Sequence, residues 1–175
     1  LVPMGRLEDL RALKDGFKYP PEYIESRLRF VPYIRDALVV GDENSDFISA
    51  LVDIDLGNVS RWAEARHIEY TTHADLSQKP PVLELISGEI KKVNALMPGG
   101  MKITKFANLH KEFDPDEAEL TRTRKLKRVF LENRYRDIID ATNAGQETLT
   151  VEAPITYRDG RKGTTKTDIK IATVD

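Results

Sequence analysis

Cysteine is absent from all 175 residues, which excludes a disulfide framework and thiolate-based metal or redox chemistry, and fits a cytoplasmic protein. Histidine is scarce. His67, His73 and His110 stand apart in the sequence, and none has the spacing that brings two imidazoles to one metal ion, so no metal site is expected. There is no phosphate-binding glycine-rich loop and no Gly-x-Ser-x-Gly nucleophile elbow. No apolar run approaches the ~20 residues of a membrane-spanning helix, and no signal peptide opens the chain. The opening residues, LVPMGR, lack an initiator methionine and read as a piece of something longer, or as carrying a scar of added sequence. Excess positive charge is missing as well. With 27 Lys and Arg against 29 Asp and Glu, the net charge is -2, which argues against nucleic acid as the main partner.

What is present is a globular composition, 40% hydrophobic and 32% charged, sized for one domain or a small one with an appendage. Asp15-Gly16 favours a hairpin turn between two short segments. Pro20-Pro21 then start a short helix ending near Phe30, with Ile24 and Leu28 on its buried face. The apolar runs 37–40 and 47–54 flank a polar loop and predict two antiparallel strands. Asn58 is placed to cap a helix from Val59 to about His67. A longer helix follows Pro80-Pro81, with Val82, Leu85, Ile86, Ile90, Val93 and Met97 at helical spacing, and Pro98-Gly99-Gly100 ends it. Lys102 to Leu109 reads as a strand, with Ile103, Ala107 and Leu109 on one face and Phe106 on the other. Leu126, Val129, Phe130, Ile138 and Ile139 mark a last helix running to about Ala141. The fold class is therefore α+β: a small sheet with packed helices, followed by a β-hairpin extension around Asp159-Gly160 that reads as separate from the preceding core. The expected boundary puts residues 1–141 in the main domain and residues 142–175 in a linker and hairpin.

The charge pattern changes sign abruptly near residue 120. Glu112, Asp114, Asp116, Glu117 and Glu119 lie in a stretch that lacks the central glycine and spaced glutamate of a calcium loop, so it reads as a solvated loop. The next nine residues, LTRTRKLKR, hold five cations: Arg122, Arg124, Lys125, Lys127 and Arg128. Three readings of that run stay open on residue chemistry alone. As a solvated helix start it sets positive charge against the helix dipole. As a nucleic-acid patch it lacks interleaved aromatics. As a site of chemistry it offers a mobile ammonium to phosphate or carboxylate oxygens.

Two motifs taken together carry a family resemblance. Gly5-Arg6-Leu7-Glu8-Asp9, then Lys14-Asp15-Gly16, then Pro21-Glu22-Tyr23-Ile24-Glu25, resembles the hinge and following loop of adenylate-forming enzymes. Their pattern is G-R-x-x-D, a glycine turn, and a helix ending in I-E. Glu119-Leu120-Thr121 through Lys125-Leu126-Lys127-Arg128 resembles their C-terminal catalytic-lysine motif, which closes as lysine, apolar, any residue, arginine. The E-L-T before the lysine looks most like long-chain fatty acid–CoA ligases. The resemblance covers about residues 5 to 141. Two departures stand out: Arg124 occupies a position that is often glycine in the family, and Arg122 one that is often proline in long-chain members.

The resemblance implies a mobile C-terminal lid, inactive alone, that works with an N-terminal adenylation domain of the same protein. Fatty acid, ATP with Mg2+, and coenzyme A would be substrates of the whole enzyme, with none held by the lid by itself. The implied roles are Lys125 as catalytic lysine, Asp9 and Arg6 at the hinge, and Lys14, Asp15, Gly16, Phe17 and Lys18 as the thioester-state loop. Lys127 falls outside the motif register. Peripheral membrane association of a cytoplasmic enzyme is a further expectation. Competing readings are another acyl- or aryl-CoA ligase of the superfamily, a module docking an anionic partner through residues 122–128, and an interaction module using the terminal hairpin.

Overall fold

The computed structural model describes residues 10–156 and 159–174, so the hinge candidates Arg6 and Asp9 lie outside the described residues. Strands β1 (Arg11–Ala12) and β2 (Lys18–Tyr19) pair antiparallel as the first hairpin. Gly16 sits at its turn with φ 87°, a left-handed conformation natural to glycine. Helix α1 (Pro21–Leu28) opens with proline in its first turn, where the missing N–H is no loss, and buries Ile24 and Leu28.

β3 (Ile34–Val40) and β4 (Ile48–Ile54) pair antiparallel, with Leu38 opposite Leu51. Every residue of β4 is buried, because helices cover both faces of the sheet; hence the continuous apolar run rather than a polar alternation. On one face Ala37, Val39, Ala50 and Val52 join Ile24 and Leu28 from α1 and Ile86 and Ile90 from α4 (Pro80–Leu96). On the other, Leu38, Val40 and Leu51 pack with Leu131 of α5 (Arg128–Arg134) and Ile138 and Ile139 of α6 (Arg136–Asn143).

The chain crosses from β4 through α2 (Leu56–Ala65), α3 (His73–Gln78) and α4 to β5 (Ile103–Asn108), which pairs parallel to β4. Parallel neighbours need such a helical crossover. A long terminal hairpin, β6 (Thr148–Thr156) and β7 (Lys162–Thr173), completes a five-stranded mixed sheet in the order β3-β4-β5-β7-β6.

Several expectations are corrected. The terminal hairpin is not detached: β7 pairs with β5, Phe106 lies opposite Ala172, and Ile169 and Ile171 are buried in the second cluster. Gln78 reinforces the joint, accepting from Lys170 N at 2.9 Å while donating to Asn108 O at 2.7 Å. Asn58 does not cap α2. Asp55 does, accepting from Asn58 N at 2.9 Å, while the Asn58 amide donates to Pro32 O at 2.7 Å. In β5 the register shifts between Ile48↔Ile103 and Ser49↔Lys105, so Thr104 is skipped. That bulge turns Ile103 to the same cluster as Phe106, away from Ala107 and Leu109. The last helix is two helices broken at Tyr135, and its buried stripe is Leu131, Tyr135, Ile138 and Ile139; Val129 is 72% exposed. Helix α3, capped by Thr72 Oγ1 accepting from Asp75 N at 3.0 Å, is an element beyond those expected from the sequence.

Gly41 follows β3 with φ 155°, and its carbonyl accepts from the buried Tyr19 hydroxyl. A Cβ there would lie 2.9 Å from both Leu13 Cδ2 and Tyr19 Oη. Gly41→Ala is therefore expected to cost about 1–3 kcal/mol of stability, read as a lower urea midpoint at unchanged slope. No loss would show that the loop shifts freely to admit the methyl group.

Candidate functional site

Only Arg128 of the basic run enters a helix, α5; residues 120–127 form a tight loop. Leu120 and Leu126 bridge its base. Thr121 latches it three times: its N–H donates to Lys125 O at 2.8 Å, its Oγ1 accepts from Lys125 N at 3.0 Å, and its carbonyl accepts from Arg124 N at 2.9 Å. The third residue of E-L-T thus fixes the backbone of the lysine four positions later. Arg124 completes the turn at φ 62°. A non-glycine residue held there carries strain of roughly 1–3 kcal/mol. The position read as a family glycine is one whose backbone suits glycine.

Glu119, first residue of E-L-T, is fully buried. It accepts from the Lys111 ammonium, the Tyr135 hydroxyl and Asp114 N, the last at 3.2 Å. Its own carbonyl accepts from Lys127 N at 3.1 Å. Glu117 pairs with Lys111 and, at 2.7 Å, with Arg134. The acidic stretch is therefore not simply a solvated loop; two of its carboxylates bind the loop's base to Arg134 of α5 and to Tyr135 at the break before α6.

The cations also divide. Arg128, the arginine that closes the motif, is not surface charge. Its guanidinium donates to Val39 O at 2.9 Å and to the buried Glu25 carboxylate. Glu25 accepts as well from Val39 N at 2.7 Å. Glu25 is the last residue of the Pro21–Glu25 motif and lies inside α1, which runs on to Leu28, so the two sequence motifs meet in one buried ion pair. This pairing also resolves the charge set against the α5 dipole, because Arg128 opens that helix with its charge compensated. Burial pushes the Glu25 carboxyl up to about 7, against the pull of Arg128 and the Val39 N–H.

Lys125 is exposed, and no ion pair or hydrogen bond among the described residues engages its ammonium. It lines a cleft of about 470 Å³ between the loop, α1 and the start of β3, with Glu22, Arg29, Arg35, Asp36 and Arg124. None of residues 14–18 lines that cleft. Their loop lies at the hairpin turn, where Lys14 N donates to Ser45 O at 3.0 Å and Phe17 N to Asp15 Oδ1 at 2.9 Å. Lys14, Asp15, Gly16 and Lys18 are exposed, and Phe17 is half-buried. The two loops share one frame: Arg11 beside the hairpin pairs with Glu132 of α5 at 3.2 Å, and Glu25 of α1 pairs with Arg128.

Residue patterns alone missed Glu25, Arg128, Glu119 and Thr121 as parts of the site. All four stand inside the quoted motifs, which was the available signal. His73 and His110 approach closely enough to interact, and burial lowers the pKa of both. Among the described residues no group of three or more metal-ligating side chains forms, and no helix is long and apolar enough to cross a membrane.

Asp53 supports the acidic loop from below, accepting from Phe113 N at 3.2 Å with its second oxygen buried and unpartnered. Burial raises its pKa from about 3.8 to about 7. A raised carboxyl favours folding below its unfolded value and loses that contribution as pH rises through the folded value. Relative to Asp53→Asn, the parent should lose stability steadily as pH rises from about 4 to 7. Paired urea titrations would show it; a constant difference across that range contradicts the assignment.

This latched lysine loop on an α+β sheet defines a class, and comparison with known proteins identifies it. The sequence model of the AMP-binding enzyme C-terminal domain matches residues 8–147, and the chain belongs to that family. It is 30% identical over 142 residues to the long-chain-fatty-acid–CoA ligase FadD15 of Mycobacterium tuberculosis, covering 81% of this chain and 24% of that protein. To the long-chain-fatty-acid–CoA ligase ACSBG2 of Gallus gallus it is 30% identical over 165 residues, covering 83% of this chain and 21% of the relative. The chain thus spans about a quarter of the length of the curated relatives it matches. In fold it is similar to the adenylation domain of a carboxylate reductase from Mycobacterium chelonae, with a TM-score of 0.63 at 20% identity over 81% of this chain and 20% of that one. The A-PCP didomain of the carboxylic acid reductase from Segniliparus rugosus, in complex with AMP, gives 0.60 at 15% identity over 78% of this chain and 17% of that one.

Proposed function

We propose that this domain is the mobile lid of an ATP-dependent long-chain fatty acid–CoA ligase and that Lys125 serves its first half-reaction. In that step a fatty acid carboxylate oxygen attacks the α-phosphorus of magnesium-bound ATP, giving acyl-adenylate and releasing pyrophosphate. In the second, the coenzyme A sulfur attacks the acyl carbonyl carbon and AMP leaves. The observation that carries the reading is an exposed, uncompensated ammonium on a loop whose backbone is latched by Thr121 and whose base is anchored by Arg128 on Glu25. A cation held ready in this way stabilises charge that develops in the transition state more than charge in the ground state.

The separation of the two candidate loops supports the lid role. Lys125 and residues 14–18 stand on one frame, and residues 14–18 lie outside the cleft that Lys125 lines, so a domain rotation would exchange one for the other at a single active centre. In this reading Gly16 and its neighbours face the thioester step, and Arg6 and Asp9 form the hinge to an N-terminal adenylation domain. The test is fatty-acid-dependent ATP–pyrophosphate exchange by the full-length enzyme carrying Lys125→Ala. Exchange should collapse; parental exchange would overturn the assignment of Lys125.

A further inference from the structure

Arg124 precedes Lys125 and has the costlier backbone. Its φ of 62° is one that asparagine or glycine adopts with less strain. Its side chain is exposed and makes no ion pair or hydrogen bond among the described residues, so the turn is held by backbone bonds to Thr121 and the guanidinium itself contributes nothing to it. The other arginines of the same cleft are engaged: Arg29 with Asp36 at 3.0 Å, Arg35 with Glu112 at 3.5 Å, and Arg128 with Glu25. Once these pairs are set aside, the described lining keeps two uncompensated cations, Arg124 and Lys125, against one uncompensated carboxylate, Glu22. The latch accounts for the backbone conformation but not for an arginine held in it, and a strained residue with an unengaged cation beside a reactive group points to a ligand contact for that side chain.

We infer that Arg124 is a second substrate cation, whose guanidinium grips the non-reacting phosphates of ATP when Lys125 reaches the reacting one. The inference rests on the lid reading of Lys125. The planar fork of an arginine suits paired hydrogen bonds to phosphate oxygens, whereas the lysine is a point charge. The two residues would therefore divide the work. Arg124 binds nucleotide equally in ground and transition states and so sets KM for ATP, while Lys125 acts on kcat.

The test compares Arg124→Asn, Arg124→Lys and Lys125→Ala in the full-length enzyme, by steady-state adenylation kinetics and thermal unfolding. Asparagine keeps the left-handed backbone and removes the charge. It should raise KM for ATP about tenfold or more, as loss of charged hydrogen bonds does, with kcat nearly unchanged and no drop in unfolding midpoint. Arg124→Lys should fall between asparagine and the parent. An unchanged KM for ATP in Arg124→Asn overturns the inference. So does an equal fall in both half-reactions at constant KM, which would place Arg124 against the adenylation domain instead of the nucleotide. Lys125→Ala keeps the two claims apart: full adenylation there, beside a raised KM in Arg124→Asn, refutes the role of the lysine and leaves that of Arg124 standing.

Discussion

Arg128→Ala should destabilise the domain by about 3–5 kcal/mol, the usual effect of removing one member of a buried ion pair. The cause is less the lost attraction than what remains. Glu25 is 1% exposed, and without the guanidinium its carboxylate keeps only the Val39 N–H as a partner. Arg128 also donates to Val39 O, so the truncation takes that donor from an acceptor on β3 at the same time. Glu25→Gln should cost less, because an amide oxygen can still accept from Val39 N and leaves no buried negative charge. In the double variant the costs should not add, since each single change already breaks the same contact. Urea denaturation of the two singles and the double gives the coupling directly. Strict additivity, or a loss under about 1 kcal/mol for Arg128→Ala, would show that the pair is not the joint between the motifs.

Lys125→Ala in the full-length enzyme should slow acyl-adenylate formation by roughly 10²- to 10³-fold, the range seen when one preorganised donor to developing negative charge is lost. Stability should hardly change, because the side chain is exposed and only the backbone of Lys125 is engaged by Thr121. Lys125→Arg should not restore the rate, since a planar guanidinium cannot occupy the place of a compact ammonium. Lys127→Ala is the matching control. Its backbone bonds Glu119 O at the base of the loop, and its exposed side chain, like that of Lys125, has no described partner. A comparable loss from Lys127→Ala would shift the catalytic register by two residues.

Much of the fold was legible because local chemistry dictates it. Pro20-Pro21 and Pro80-Pro81 open helices, Asp15-Gly16 turns a hairpin, and the runs ending at Val40 and Ile54 are strands buried on both faces. What was illegible depends on distant partners. The placement of β7 beside β5 brings Ala172 to Phe106, and nothing near either residue announces it. The helix breaks at Tyr135, whose hydroxyl bonds Glu119, sixteen residues earlier. At the site, Lys125 stood out through its motif, but the run of cations looked uniform. Only the fold separates Arg128, neutralised by a glutamate 103 residues away, from Lys125, which no described carboxylate meets. The strain at Arg124 was hidden for a similar reason: the sequence shows an arginine, whereas its φ is set by the Thr121 latch.

In the proposed mechanism Lys125 serves one half-reaction and is withdrawn for the other. The most direct measurement is the single-turnover rate of thioester formation from supplied acyl-adenylate and coenzyme A in the full-length Lys125→Ala enzyme. The rate should match that of the parent while adenylation is lost. A fall in thioester formation equal to the fall in adenylation would contradict the swinging-lysine account.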